Sequence, residues 1–115
     1  MDFNGHKPIY LQICDHLDER ILNGEFSSGD KIMSVRELGA DLGVNPNTVM
    51  RSFEILQNKG IIANRRGIGF YVCDDAKEMI LAEQKKEFIE EELPKIFRKM
   101  DLFGISIDDL KKFKK

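Results

Sequence analysis

Gly43-Val44-Asn45-Pro46-Asn47-Thr48-Val49-Met50-Arg51-Ser52-Phe53-Glu54-Ile55-Leu56-Gln57-Asn58-Lys59-Gly60 is the stretch on which the fold turns. It opens with a helix-start signal. Asn45 stands where an N-cap side chain accepts an orphan backbone N–H, and Pro46 follows at the first helical position, where its missing N–H costs nothing. It closes with Lys59 at the negative end of the helix dipole and Gly60 just beyond, where a left-handed backbone is wanted. Val49, Phe53 and Leu56 recur at helical spacing and make one apolar stripe. Off that stripe the first turns carry Asn47, Thr48 and Arg51, with Pro46 and Met50 alongside. A short helix that buries one side and offers Asn, Thr and Arg from its N-terminal half suits a recognition helix in a DNA major groove. It equally suits an ordinary amphipathic helix with a polar surface. The flanking sequence decides between them.

Upstream, Ser34 and Glu37 form an S-x-x-E capping box that opens a short helix through about Leu42, with Val35, Leu38 and Leu42 facing inward. Arg36 falls in its first turn, in reach of a phosphate beside the groove or of a surface ion pair with Glu37 or Asp41. Gly43-Val44 is then the tight turn of a helix-turn-helix. Further upstream, Pro8 starts a helix in which Ile9, Ile13, Leu17 and Ile21 repeat every fourth residue and Gly24 marks the end. Its outer face holds Asp15, Asp18, Glu19 and Arg20; His16 lies on that side as a solvated or backbone-bonded histidine. Residues 1–7 read as frayed, Phe26 to Asp30 as a turn, and Lys31-Ile32-Met33 as one short strand.

Downstream, Ile61-Ile62-Ala63-Asn64-Arg65 is strand-like, Arg66-Gly67-Ile68-Gly69 is a turn, and Phe70-Tyr71-Val72-Cys73 is rich in β-formers. A helix-turn-helix followed at once by a basic-tipped hairpin is a winged helix. Arg65 and Arg66 at the tip are placed to lie on phosphates or enter the minor groove.

Composition sets outer bounds. The chain has 115 residues, 42% hydrophobic and 33% charged, enough for one compact domain with an appendage or for two very small ones. No apolar run approaches a membrane span, and the N-terminus lacks the regions of a signal peptide, so the expectation is a cytoplasmic protein with no membrane partner. Cys14 and Cys73 form no CxxC pair and join no His/Cys cluster, which gives no metal or other cofactor and reads both as small hydrophobes. The net charge of −2 weighs against a nucleic-acid partner, but its distribution weighs the other way. Residues 44–73 hold Arg51, Lys59, Arg65 and Arg66 against Glu54 alone, whereas residues 1–43 hold four cations against eight acids. Positive charge thus gathers on the proposed reading helix and the hairpin behind it.

With these residues in place, the chain from Pro8 to Val72 resembles the N-terminal domain of the GntR family of bacterial transcription regulators. The resemblance rests on four motifs in order: Pro8-Ile9-Tyr10-Leu11-Gln12-Ile13; Gly29-Asp30-Lys31-Ile32-Met33-Ser34-Val35-Arg36-Glu37-Leu38; Gly43-Val44-Asn45-Pro46-Asn47-Thr48-Val49; and Ile61 to Val72 with Arg65-Arg66-Gly67 at its centre. It implies operator binding as a homodimer, with contacts to double-stranded DNA from Ser34, Arg36, Asn45, Pro46, Asn47, Thr48, Arg51, Arg66 and Gly67. Met33, where the family often has proline, and Met50 with Ser52 around Arg51 are departures.

Asp74 and Asp75 begin a further helical segment carrying Met79, Ile80, Leu81, Phe88, Ile89, Leu93, Ile96, Phe97 and Met100. Pro94 is expected to kink or break it, since proline cannot donate to the helical ladder. Gly104 stops the next piece, and Ser106-Ile107-Asp108-Asp109 caps a last short helix that ends in lysines. Residues 74–115 are too few to enclose their own core, so their apolar stripe needs the winged domain or a second chain to cover it. The chain is similar to the short, YtrA-type branch of the family, which implies dimerisation through these helices; the expected seam is Met79, Ile80, Ile89, Leu93, Ile96 and Phe97. The expected architecture is mostly α with a small β-hairpin: a winged helix-turn-helix over 1–73 and a helical dimerisation segment over 74–115.

Three functions compete on the sequence. A DNA-binding regulator, a repressor in the first instance, accounts for the basic reading face. An enzyme lacks a base–nucleophile pair and a phosphate-cradling glycine loop, Gly67-Ile68-Gly69 having neither the third glycine nor the strand–helix setting. A winged-helix interaction module has no need of Arg36, Arg51 and Arg66 on one surface. A small-molecule effector is not legible.

Overall fold

Pro8 closes the first turn from outside, accepting the amides of Leu11 and Gln12, and α1 runs Ile9–Leu22. The structure, a computed structural model, describes residues 7–115, so all but the last of the residues read as frayed lie outside it. After α1 come α2 (Val35–Leu42), α3 (Pro46–Asn58), β1 (Ile62–Arg65), β2 (Gly69–Val72), α4 (Ala76–Glu87), a π-helical turn (Phe88–Glu92), α5 (Leu93–Phe103) and α6 (Ile107–Phe113). The architecture is mostly helical with one two-stranded antiparallel hairpin, β1 to β2.

The chain divides into two compact units, the first ending at Ile80 and the second running Leu81–Lys115. In the first, α1 contributes Ile13, Cys14, Leu17 and Ile21 to a single core, α2 adds Leu38, and α3 adds Val49, Phe53 and Leu56. The hairpin closes that core with Ile62, Phe70 and Val72, in the register Ile62↔Val72 and Asn64↔Phe70. Phe53 meets Phe70 edge to face, ring centroids 4.8 Å apart and planes at 79°, so the wing is fixed on the buried side of α3. Cys14 is buried, its thiol pushed up to about 11 chiefly by desolvation, and both cysteines are free.

In the first unit two expectations change. The segment Lys31-Ile32-Met33 forms an isolated bridge from Lys31 to Tyr71, not a strand. Ile32 donates to the Phe70 carbonyl at 3.0 Å, but the chain then turns to the Ser34 cap before a ladder can extend. Ile80, expected in a dimer seam, is 1% exposed and belongs to the core of the first unit together with Ala76. The first turns of α4 thus complete the winged core, which runs past Cys73, and Ile80 has no surface left to offer.

In the second unit, Pro94 neither breaks nor ends the helical run. A π-turn absorbs it: the Leu93 amide reaches back to the Phe88 carbonyl, widening the helix by one residue just ahead of the proline ring. Gly104, at φ +69, ends α5, and Ser106 with Asp109 forms the capping box of α6. Glu90, Glu91 and Glu92 are exposed.

Candidate nucleic-acid interface

The reading helix starts as its sequence dictates. Asn45 Oδ1 accepts the Asn47 amide at 2.8 Å, and Pro46 occupies the first turn. That bond uses the side-chain oxygen of Asn45, and the residue is exposed. Val49, Phe53 and Leu56 are fully buried. A four-residue step along a helix keeps side chains on one face, so Asn47 and Arg51 stand together opposite that stripe, both exposed. Thr48 is half-buried at the edge of the same face.

On α2 the capping box is complete: Ser34 Oγ accepts the Glu37 amide at 3.1 Å, and Glu37 Oε1 accepts the Ser34 amide at 3.3 Å. The Ser34 backbone N–H, followed by its side chain, holds the Glu37 carboxyl below its ordinary value of 4.5. The cap is therefore complete above that value and is lost as pH falls through the lowered one. This commits Glu37 to Ser34 and leaves Arg36 exposed, without an ion pair among the described residues. The alternative of an Arg36 pair with Glu37 or Asp41 is not adopted.

The two helices are held close by Gly39, which sequence reading passed over. A Cβ there would stand 2.8 Å from the Val44 carbonyl oxygen, while the Val44 amide bonds to the Gly39 carbonyl at 2.8 Å. Both contacts are backbone, so any side chain would force the turn open. A glycine inside a short helical pattern was the available signal.

The wing carries Arg65 at the end of β1, opposite Gly69, with Arg66 and Gly67 in the turn; all three are exposed. Gly67 takes φ +79, which the tight turn requires. Arg65 lies over the Tyr71 ring, 4.1 Å from its centroid. Lys31, another residue missed in the sequence, lays its stem against Gly69 and adds a cation to the hairpin. No sequence pattern signals it, because the contact depends on the bridge to Tyr71. α3 is joined to α1 through Ser52, whose buried hydroxyl donates to the Tyr10 carbonyl at 2.6 Å, while Arg51 lies 3.7 Å over the Tyr10 ring.

Of the expected seam residues, Ile89, Ile96 and Phe97 are each at least 40% exposed and Leu93 is half-buried. Met79 is partly used against Gly60 in the first unit. The second unit also exposes Leu102, Phe103, Ile107 and Phe113, which the expected seam left out. Among the described residues no group of His, Cys, Asp or Glu is placed to hold a metal ion, and no helix is long and apolar enough to cross a membrane.

Comparison with known proteins agrees with this geometry. The family model described as bacterial regulatory proteins, gntR family, matches residues 9–72. The Bacillus subtilis HTH-type transcriptional repressor YtrA is 36% identical over 110 residues, covering 96% of this chain and 84% of its own length. A GntR-family transcriptional regulator from Bacteroides thetaiotaomicron superposes with a TM-score of 0.81 at 44% identity, over 91% of both chains. AraR(DBD), solved in complex with operator ORX1, aligns with a TM-score of 0.59 at 25% identity, over 63% of this chain and 93% of that one. A match that spans the whole helix-turn-helix and wing, with relatives that extend through the C-terminal helices, makes this chain a member of the gntR family: a DNA-binding regulator of transcription and not an enzyme.

Proposed function

We propose that the chain is a repressor that binds an inverted-repeat operator as a homodimer, each copy placing α3 in the major groove and its wing on the adjacent backbone. The observation that carries this reading is the outer face of α3, where Asn47 and Arg51 stand exposed and Arg51 has no ion pair among the described residues. In it, Asn47 and Arg51 read base edges, and Ser34, Arg36, Asn45, Pro46 and Thr48 fix the helix pair on the sugar–phosphate backbone. Arg65, Arg66 and Gly67 serve the wing. The repressor role draws on the name of the Bacillus subtilis relative, and the operator on the AraR complex. A chromosomal target implies the cytoplasm. Dimerisation belongs to the second unit, whose exposed Ile89, Ile96 and Phe97 favour a partner.

A duplex selected by the full-length protein from a random pool tests the reading. Arg51→Ala should weaken binding to that duplex by about 1–3 kcal/mol and cost much less on random DNA. Equal losses on both would reduce Arg51 to a phosphate contact. Arg66→Ala should act differently, flattening the slope of log K against log salt by about one unit on either duplex. An unchanged slope would take the wing off the DNA.

A further inference from the structure

Both tyrosines of the chain lie beneath arginines that the proposed function assigns to DNA. Arg51 Cζ stands 3.7 Å from the centroid of Tyr10, and Arg65 Cζ stands 4.1 Å from that of Tyr71. Another stacked arginine shows what is particular about these two. Arg20 lies 4.6 Å over Phe26, and its Nε also donates to the Glu25 carboxylate, so its charge is paired inside the fold. Arg51 and Arg65 have a ring and no ion pair among the described residues. The difference matters chemically. A ring takes the flat face of a guanidinium and leaves its in-plane N–H donors open. Those donors are the ones that bind guanine O6 and N7 in a bidentate pair.

The backbone of Tyr10 is itself tied to the reading helix. Ser52, the residue after Arg51, is fully buried, and its hydroxyl donates to the Tyr10 carbonyl at 2.6 Å. The Cys14 thiol donates to the Ser52 carbonyl at 3.5 Å, one turn further along α1. The ring's backbone is thus tied to α3 at the neighbour of the arginine it carries. An arginine seated in this way gives up less freedom when it meets a base than one swinging in solvent.

We propose that Tyr10 is a positioning residue for base reading: its ring holds the Arg51 guanidinium flat, with its donors presented, so α1 contributes to sequence discrimination. The inference rests on Arg51 as a base reader. The test uses full-length protein on two probes, the selected duplex and a random-sequence duplex of equal length. Tyr10→Leu should weaken the selected duplex about two- to five-fold, the range of an exposed cation–π contact, and leave the random duplex unchanged. Tyr10→Phe, which keeps the ring, should match the unmodified protein. In an Arg51→Ala background, Tyr10→Leu should add nothing. In ¹H–¹⁵N spectra the Arg51 Nε–H should carry an upfield ring shift that persists in Tyr10→Phe and disappears in Tyr10→Leu.

Equal losses on both duplexes for Tyr10→Leu, or the same loss with Arg51 already removed, would make Tyr10 merely structural and overturn the proposal. An unshifted Arg51 Nε–H in the unmodified protein would overturn it without any variant having to fold. Arg51→Ala separates the two levels. If it discriminates between the duplexes while Tyr10→Leu does not, positioning alone fails. If it weakens both duplexes equally, base reading fails and the inference falls with it.

Discussion

Phe53→Ala is expected to cost about 3–5 kcal/mol of folding stability, the range for deleting a buried aromatic side chain and leaving its cavity. Phe53 is fully buried and meets Phe70 edge to face, so the substitution removes both the apolar filling of the core and the contact that seats the wing on α3. Domains of this size have about 5–15 kcal/mol in all. At about 4–8 °C per kcal/mol, the melting temperature of the first unit should fall by more than ten degrees. Thermal unfolding followed by circular dichroism checks this, and a shift of only a few degrees would mean that the site collapses to fill the gap. The functional consequence follows from position: Phe53 is on the buried side of the helix whose other side presents Asn47 and Arg51. DNA binding should therefore weaken in step with the unfolded fraction, on selected and random duplexes alike. That pattern separates a core residue from a reading residue.

The second large effect concerns assembly. Leu93→Glu combined with Phe97→Glu should give a folded monomer that keeps weak half-site affinity and loses the full-site enhancement by a factor of at least about 100. Tethering two copies makes the second half-site contact intramolecular, at an effective concentration in the millimolar range for a short linkage. Burial of each such side chain across a seam contributes roughly 1.5–3 kcal/mol, so two carboxylates suffice to dissolve a small interface. Neither residue belongs to the core of the first unit, so the winged fold should survive. Light scattering on the double variant, with titrations on the inverted repeat and on a single half-site, gives the answer. A variant that stays dimeric would move the interface away from Leu93 and Phe97. A truncation aimed at the same point has to be made after Ile80, because Ala76 and Ile80 are each 1% exposed in the winged core.

The helix-turn-helix was legible because its signals are local. Asn45-Pro46 starts α3, Ser34 with Glu37 starts α2, and Gly43 and Gly60 take the positive φ that ends the two helices. Each of these is chemistry between residues a few positions apart, and the 3.6-residue period of Val49, Phe53 and Leu56 fixes which side is buried. The hairpin was equally plain, because Arg66-Gly67-Ile68-Gly69 separates two runs of β-formers. Exposure of Asn47 and Arg51 followed from the same helical period.

What the sequence left open depends on contacts between residues far apart in the chain. Nothing near Ile80 says that its side chain completes a core built mainly from α1, α3 and the hairpin; on the helix stripe it looks like Ile89 or Ile96. The bridge of Lys31 to Tyr71 pairs residues forty positions apart. The Tyr10 ring lies beneath Arg51, and the Tyr10 carbonyl accepts the Ser52 hydroxyl, so α1 meets α3 through residues far apart in the chain. Pro94 marked a disturbance, but whether a helix breaks, kinks or widens depends on which carbonyl the preceding amides find, and here the Leu93 amide finds Phe88. Local chemistry determined the elements and their outward faces. Tertiary packing decided which apolar residues the core consumes and how the arginines on those faces are held.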